Sequence, residues 1–293
     1  MKKQLNSVLL TAGLLALPSL VLAQPTAHYV PGVEGIKGAS LPPPGWYVRD
    51  YNVAYYATRV NDAGGNNVSP PNLRAFIYAN VPRLIWITET KVLGGNLGVD
   101  ALIPIQYTSL RAPGYDHGTL GLGDLFAEAT LSWHIQQFDF SAAAGAWAPT
   151  GDSGAPTRAG AGYWTPMLTA GATWYIDSGK TWAVSALNRY EFNTEQRDMH
   201  ITPGQAYTLE WGISKTLGKV WDVGAVGYYQ QQVNTDSGTG ASKDRDRVAA
   251  IGPEVSLAFP KQMFFISLRY LYEFMAESRL QGQTVALTLT KKL

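Results

Sequence analysis

Eight charged side chains fall on the polar face of alternating, strand-like stretches: Asp124, Glu128, Arg189, Glu191, Glu210, Glu254, Arg269 and Glu273. Carboxylates and guanidiniums sharing one enclosed face either pair with one another or line a polar path or a binding site. Covalent chemistry would need more, namely a nucleophile, a histidine base and an orienting group within hydrogen-bond reach. The histidines are His28, His117, His134 and His200, and only His134 lies in a clear strand, with Ser132 two residues away on the same face. No motif surrounds that pair, so His134 reads as a hydrogen-bonded residue of the polar side. His117 beside Asp116 offers two metal ligands, too few for a site. The chain has no cysteine, which removes thiolate metal sites, disulfides and a lipid anchor on cysteine. The stretches 61–67 and 237–242 lack the strand-to-helix context of a phosphate-binding loop. No catalytic residue, metal or cofactor is assigned.

The elements that position these charges are strands. Side chains at i and i+2 share a face. Phe264, Ile266, Leu268, Tyr270, Tyr272 and Phe274 therefore oppose Ser267, Arg269 and Glu273. Leu125, Ala127, Ala129, Leu131, Trp133 and Ile135 oppose Asp124, Glu128, Thr130, Ser132 and His134 in the same way. Twelve such segments are expected, at 46–60, 73–88, 97–110, 122–136, 138–148, 164–176, 181–193, 205–217, 221–233, 247–259, 262–276 and 283–293. The second alternates poorly, because Leu84, Ile85, Trp86 and Ile87 are consecutive. Polar or glycine-rich loops are expected after odd segments, as at 61–72, 149–165 and 234–246, and tight turns after even ones, as at 177–180, 218–219 and 260–261. An even number of amphipathic strands with long loops at one end and short turns at the other predicts an all-β fold. That fold is a single closed antiparallel transmembrane barrel with long extracellular loops and short periplasmic turns.

Composition agrees. Charged residues are 15% of the chain, below the roughly 25% of soluble domains, and no later stretch forms an apolar helix long enough to span a bilayer. Lys2 and Lys3, an apolar run from Val8 to Leu17 and the small-residue site ending at Ala23 predict a signal peptide over 1–23. Without it, 23 − 2 = 21 basic residues face 22 acidic ones, a balance that does not steer toward nucleic acid. Residues 24–45 form a Pro/Gly-rich segment that cannot join a ladder through Pro42-Pro43-Pro44; it either hangs in the periplasm or enters the barrel as a plug. Residues 46–293 are the barrel. Trp46, Tyr47, Trp174, Tyr175, Trp182 and Trp221 cluster at segment ends, as interfacial girdles do.

Short motifs add a resemblance. Gly-Leu-Gly-Asp at 121–124, Pro149-Thr150-Gly151, Tyr190-Glu191-Phe192-Asn193-Thr194, Gly227-Tyr228-Tyr229, Gly252-Pro253-Glu254 and Tyr272-Glu273-Phe274 occur in series. Together they resemble the "MetA-pathway of phenol degradation" family of outer-membrane transporters, itself similar to sphingosine-responsive outer-membrane proteins. The resemblance implies a barrel in the outer membrane of a Gram-negative bacterium, passing small hydrophobic or aromatic compounds passively, with outer-membrane lipids as its surroundings. Two other classes stay open: a non-conducting structural or sensing barrel, and a lipid-modifying outer-membrane enzyme. The second would turn a pair such as Ser132 and His134 toward the membrane, whereas alternation puts both on the polar side. One departure is that the chain ends Lys291-Lys292-Leu293 rather than on the phenylalanine of many barrels.

Overall fold

A strand in lipid must pair on both edges, because the bilayer offers its backbone no partner. The computed structural model meets that demand by closure; it describes residues 27–153 and 157–293, so the expected signal peptide lies outside the described residues. In chain order the strands are β1 (Gly45–Val60), β2 (Arg74–Val92), β3 (Gly95–Leu102), β4 (Ile105–Ala112), β5 (Tyr115–Leu122), β6 (Leu125–Ile135) and β7 (Phe138–Ala148). They continue as β8 (Thr165–Tyr175), β9 (Trp182–Glu191), β10 (Ala206–Leu217), β11 (Trp221–Gln232), β12 (Arg247–Phe259), β13 (Phe264–Glu277) and β14 (Leu280–Lys292). All pairings are antiparallel, and β1 bonds both β2 and β14 to close the barrel. β3 with β4, and β5 with β6, each make one broken stave, so the wall has twelve staves. No helix among the described residues is long and apolar enough to cross a membrane.

The breaks have a chemical cause. β2 pairs with β4 as far as Asn80↔Ile105 and with β3 from Arg83↔Leu102. Between those points Pro82 and Pro104 lack the donors that would continue the ladder. The neighbouring stave breaks at the same level, where Gly123 N donates to Pro104 O at 2.7 Å and Asp124 leaves the strand line. The expected segment 97–110 is therefore two strands, and the fourth stave begins at Tyr115 rather than at 122. The loop expected between them is a tight turn through Gly114, whose φ of 75° suits glycine. The connection after β13 is also tight, with Ser278 at φ 53°.

Outside, alternation gives an apolar wall: Leu168, Val184, Ile213, Val223, Ile251, Leu268 and Val285 are exposed. Trp46, Trp86, Trp174, Trp182 and Trp221 are exposed at the turn end, with Trp46 and Trp86 stacked at 4.9 Å. Aromatic rings at that height match an interfacial girdle.

Candidate functional site in the barrel lumen

Residues 27–44 do not pair as a strand; they run down the lumen from the loop end to the turn end before β1 begins. At the top, His28 stacks on Trp147 with centroids 4.8 Å apart, and its Nε2 lies 2.9 Å from Asp124 Oδ2. At the bottom, Lys37 pairs with Asp222 at 2.9 Å and Tyr47 OH donates to Pro43 O at 2.8 Å.

All eight residues expected on the polar face are buried inside the barrel. Two pairs meet. Arg189 Nη1 lies 3.0 Å from Glu210 Oε2, and Arg269 Nε lies 3.1 Å from Glu254 Oε2. Paired or not, most of the eight also serve the N-terminal segment or the wall. Glu191 accepts from Tyr29 N at 2.9 Å, Glu210 from Gly32 N and from Val33 N at 3.0 Å, and Glu254 from Ile36 N at 3.0 Å. Arg269 donates to the carbonyls of Gly32 and Val33. Asp124 accepts from Gly151 N and Ala161 N, tying the loop after β7 to the break between β5 and β6. Glu273 accepts from Tyr228 OH and Tyr55 OH and stays within the wall.

The residue that connects the two sides of the lumen is Glu34, absent from the sequence-based set. Its carboxylate lies 2.9 Å from Arg83 Nη1, 3.0 Å from Arg49 Nη1 and 3.2 Å from Arg189 Nη2. Arg83 in turn makes a two-point contact with Asp100, through Nε at 2.8 Å and Nη2 at 2.9 Å, and reaches Glu128 at 2.8 Å. Arg189 also lies over the Tyr29 ring, 4.1 Å from its centroid. Buried guanidiniums are costly unless carboxylates balance their charge, and this lattice supplies Glu34, Asp100, Glu128 and Glu210 for Arg83 and Arg189. Arg49, Arg83 and Asp100 were missed as well. Arg83 shares its face with Ile77, Ala79 and Val81, so the polar–apolar sorting that found Arg189 had no contrast to use here.

Those apolar side chains line a cavity of about 330 Å³ between the N-terminal segment and the β1–β2–β4 wall, bounded also by Tyr51, Val53, Phe126 and Trp147. Glu34, Arg83 and Arg189 lie on its boundary, with Gln106, Arg279 and Glu273 as further polar groups.

Histidine chemistry resolves into structure. His134 Nδ1 lies 2.8 Å from Asp139 Oδ1, on the lumen side as expected. His28 has Thr165 Oγ1 at 3.1 Å on one nitrogen and Asp124 on the other, a hydrolytic triad by atom type. Thr165 is fully buried and donates its hydroxyl to Asn193 Oδ1 at 2.8 Å, so the group has no access to a substrate. Asp116 binds Arg111 at 2.7 Å. Among the described residues no cluster of three metal-ligating side chains occurs.

Comparison with known proteins fits this architecture. Residues 57–289 match the profile of the family described as MetA-pathway of phenol degradation. No individually curated protein sequence matches the chain. The crystal structure of the COG4313 outer membrane channel from Pseudomonas putida F1 superposes with a TM-score of 0.79 at 16% identity, covering 90% of this chain and 100% of that one. The β domain of the Bordetella autotransporter BrkA has a TM-score of 0.53 at 12% identity, covering 86% of this chain and 100% of that one. The translocator domain of the autotransporter NalP from Neisseria meningitidis has a TM-score of 0.53 at 11% identity, covering 88% and 91%. At these identities the likeness is one of fold, that of an outer-membrane β-barrel.

Proposed function

The chain belongs to the MetA-pathway of phenol degradation family, and from that premise and the lumen's geometry we propose that it is a passive outer-membrane channel for small hydrophobic or aromatic molecules. The observation that carries this reading is the cavity beside the N-terminal segment: its walls are mainly apolar and aromatic, with a few charged groups at the boundary. At about 330 Å³ it stands at the lower end of the ~300–1,000 Å³ usual for small-molecule sites. Aromatic compounds suit such walls because they bury their rings and leave one polar edge for a hydrogen bond.

Residues 27–44 act as a plug in this proposal, and the Glu34 lattice is its latch. Molecules enter from the loop end, rest in the cavity, and pass toward the periplasm when Glu34 leaves Arg49 and Arg83. Asp124, Glu128, Arg189, Glu191, Glu210, Glu254, Arg269 and Glu273 hold the plug and the wall rather than perform a reaction. Export depends on a signal peptide over residues 1–23, removed after Ala23.

The test is accumulation of a labelled panel, from phenols to long-chain amphiphiles, at limiting concentration in cells with and without the protein. Selective loss for small aromatic or hydrophobic members on deletion is the expected result. Equal accumulation of every member, with folded barrel confirmed in the membrane, overturns the channel and favours a structural or sensing barrel.

A further inference from the structure

Passage through the lumen leaves one feature of the outer wall without a role. Asp50 and Asn52 on β1, and Tyr78 and Asn80 on β2, alternate with the buried, inward Tyr51, Val53 and Arg83 and so face out of the barrel. Asn52 stands directly opposite Asn80 in the ladder. The Asp50 carboxylate accepts from Asn52 Nδ2 at 2.7 Å and from Asn80 Nδ2 at 2.8 Å, and Asn52 Oδ1 accepts from Tyr78 OH at 2.8 Å. Across the other edge of β1, Asp50 and Asn52 are level with Leu289 and Leu287 of the apolar band. A carboxylate and two carboxamides therefore sit at hydrocarbon depth on the lipid side, where the acyl chains offer neither donor nor counter-charge.

A second feature adjoins them on the same face. Toward the turn end lies an open groove of about 500 Å³, lined by Ala101, Ala127, Ala129 and Ala144 beside Leu84 and the stacked Trp46 and Trp86. Small side chains let the backbone of another membrane-embedded element approach closely.

We propose that this face is the contact between two copies of the chain in the outer membrane. Both copies insert in one orientation, so a two-fold axis relating them lies along the membrane normal and each residue meets residues at its own depth. The polar patch then meets itself, at a height where only protein can satisfy it. Its chemistry is self-complementary. The Asn52 amide retains a second N–H beyond its bond to Asp50, and the Asp50 oxygens and Tyr78 hydroxyl retain acceptor lone pairs. A larger ring would turn the patch against a different face. On that far side the outward Asn188 is already engaged by Tyr207 OH at 2.6 Å.

The chain's lack of cysteine makes the test direct. Leu84→Cys beside the patch and Ile213→Cys on the far wall are oxidised separately in isolated outer membranes, and the native mass is read in particles excised with their lipid. The expected result is a disulfide dimer from Leu84→Cys alone, a native mass of two chains, and loss of both when Asp50, Asn52 and Asn80 are all replaced by Leu in a barrel that still folds. A native mass of one chain overturns the proposal, as does equal cross-linking from both walls. A dimer that survives the leucine replacements overturns the polar patch as its basis.

Discussion

On the β8–β13 side of the lumen the N-terminal segment is gripped largely by its backbone, whereas on the β1–β3 side its middle is tied through one side chain. Glu191, Glu210, Glu254 and Ser185 accept from the amides of Tyr29, Gly32, Val33, Ile36 and Ala39, while Arg269 and Gln230 donate to its carbonyls. Opposite, Arg49, Arg83 and Tyr51 converge on the Glu34 carboxylate. Many separate bonds make a fixed seam, because losing one leaves the rest in register. A single carboxylate shared by several donors makes a latch, because its loss removes every ion pair between the middle of the segment and that side at once. The apolar cavity lies on the latched side, where movement of the segment would widen it.

Breaking the latch is expected to have the largest effect. Glu34→Ala removes the partner shared by the buried Arg83 and Arg189 and the half-buried Arg49; because Arg83 keeps Asp100 and Glu128 and Arg189 keeps Glu210, a loss of about 3 kcal/mol is expected, the low end for a broken buried pair. The expected outcome is a lower Tm and raised solute flux into proteoliposomes, with the barrel still assembled; unchanged flux would remove the latch. Gly35→Ala strikes the seam at its most crowded point. Gly35 has φ 73°, and an added Cβ falls inside van der Waals contact with the Glu254 carboxylate. The left-handed backbone alone costs about 1 kcal/mol for alanine, and the collision adds to it. Lower stability with a smaller flux change than Glu34→Ala is expected, and the reverse order of flux would invert the comparison.

Glu191→Gln removes one seam carboxylate while keeping its shape. A net change of about 1–2 kcal/mol is expected for one charge-assisted bond, with flux unaltered, read by thermal unfolding and the same liposome assay. The smallest effect belongs outside both regions, at the turn after β8. Asp177 accepts from Trp182 N at 2.7 Å and from Thr181, and these bonds hold its carboxyl down to about 2. A lowered folded value contributes stability above the ordinary carboxylate range that is lost as pH falls toward 2. Asp177→Asn should therefore reduce stability slightly at neutral pH, with the difference from the native chain vanishing in acid.

The inward placement of the seam's charges was legible before the structure; their grip on the N-terminal segment and the latch were not. Arg189, Glu191, Glu210, Glu254 and Arg269 lie on staves with one apolar and one polar face, so alternation alone assigned them inward. β2 has apolar residues on both faces, because its inner side lines the cavity at Ile77, Ala79 and Val81 and packs on Tyr47 at Ile85 and Ile87, while its outer side joins the apolar wall. The poor alternation at 84–87 was thus a signal of that stave's two-sided burial. Pro82 and Pro104 likewise announced a ladder without donors, yet pairing across staves was needed to show that two staves break at one height.

The sequence by itself determined a closed barrel of twelve staves, which face each regular stave turns inward, and the tryptophans of the girdle, although Tyr47 and Tyr175, expected beside them, turn into the lumen. Those properties follow from local periodicity and from the bilayer's refusal of unpaired backbone. Only the tertiary structure decided that the N-terminal segment fills the lumen, that Glu34 joins three arginines from β1, β2 and β9, and that Asp50 bonds Asn52 and Asn80 on the outer wall. Such contacts join residues up to hundreds of positions apart, and strand register, which a pattern of period two leaves open, sets which of them meet.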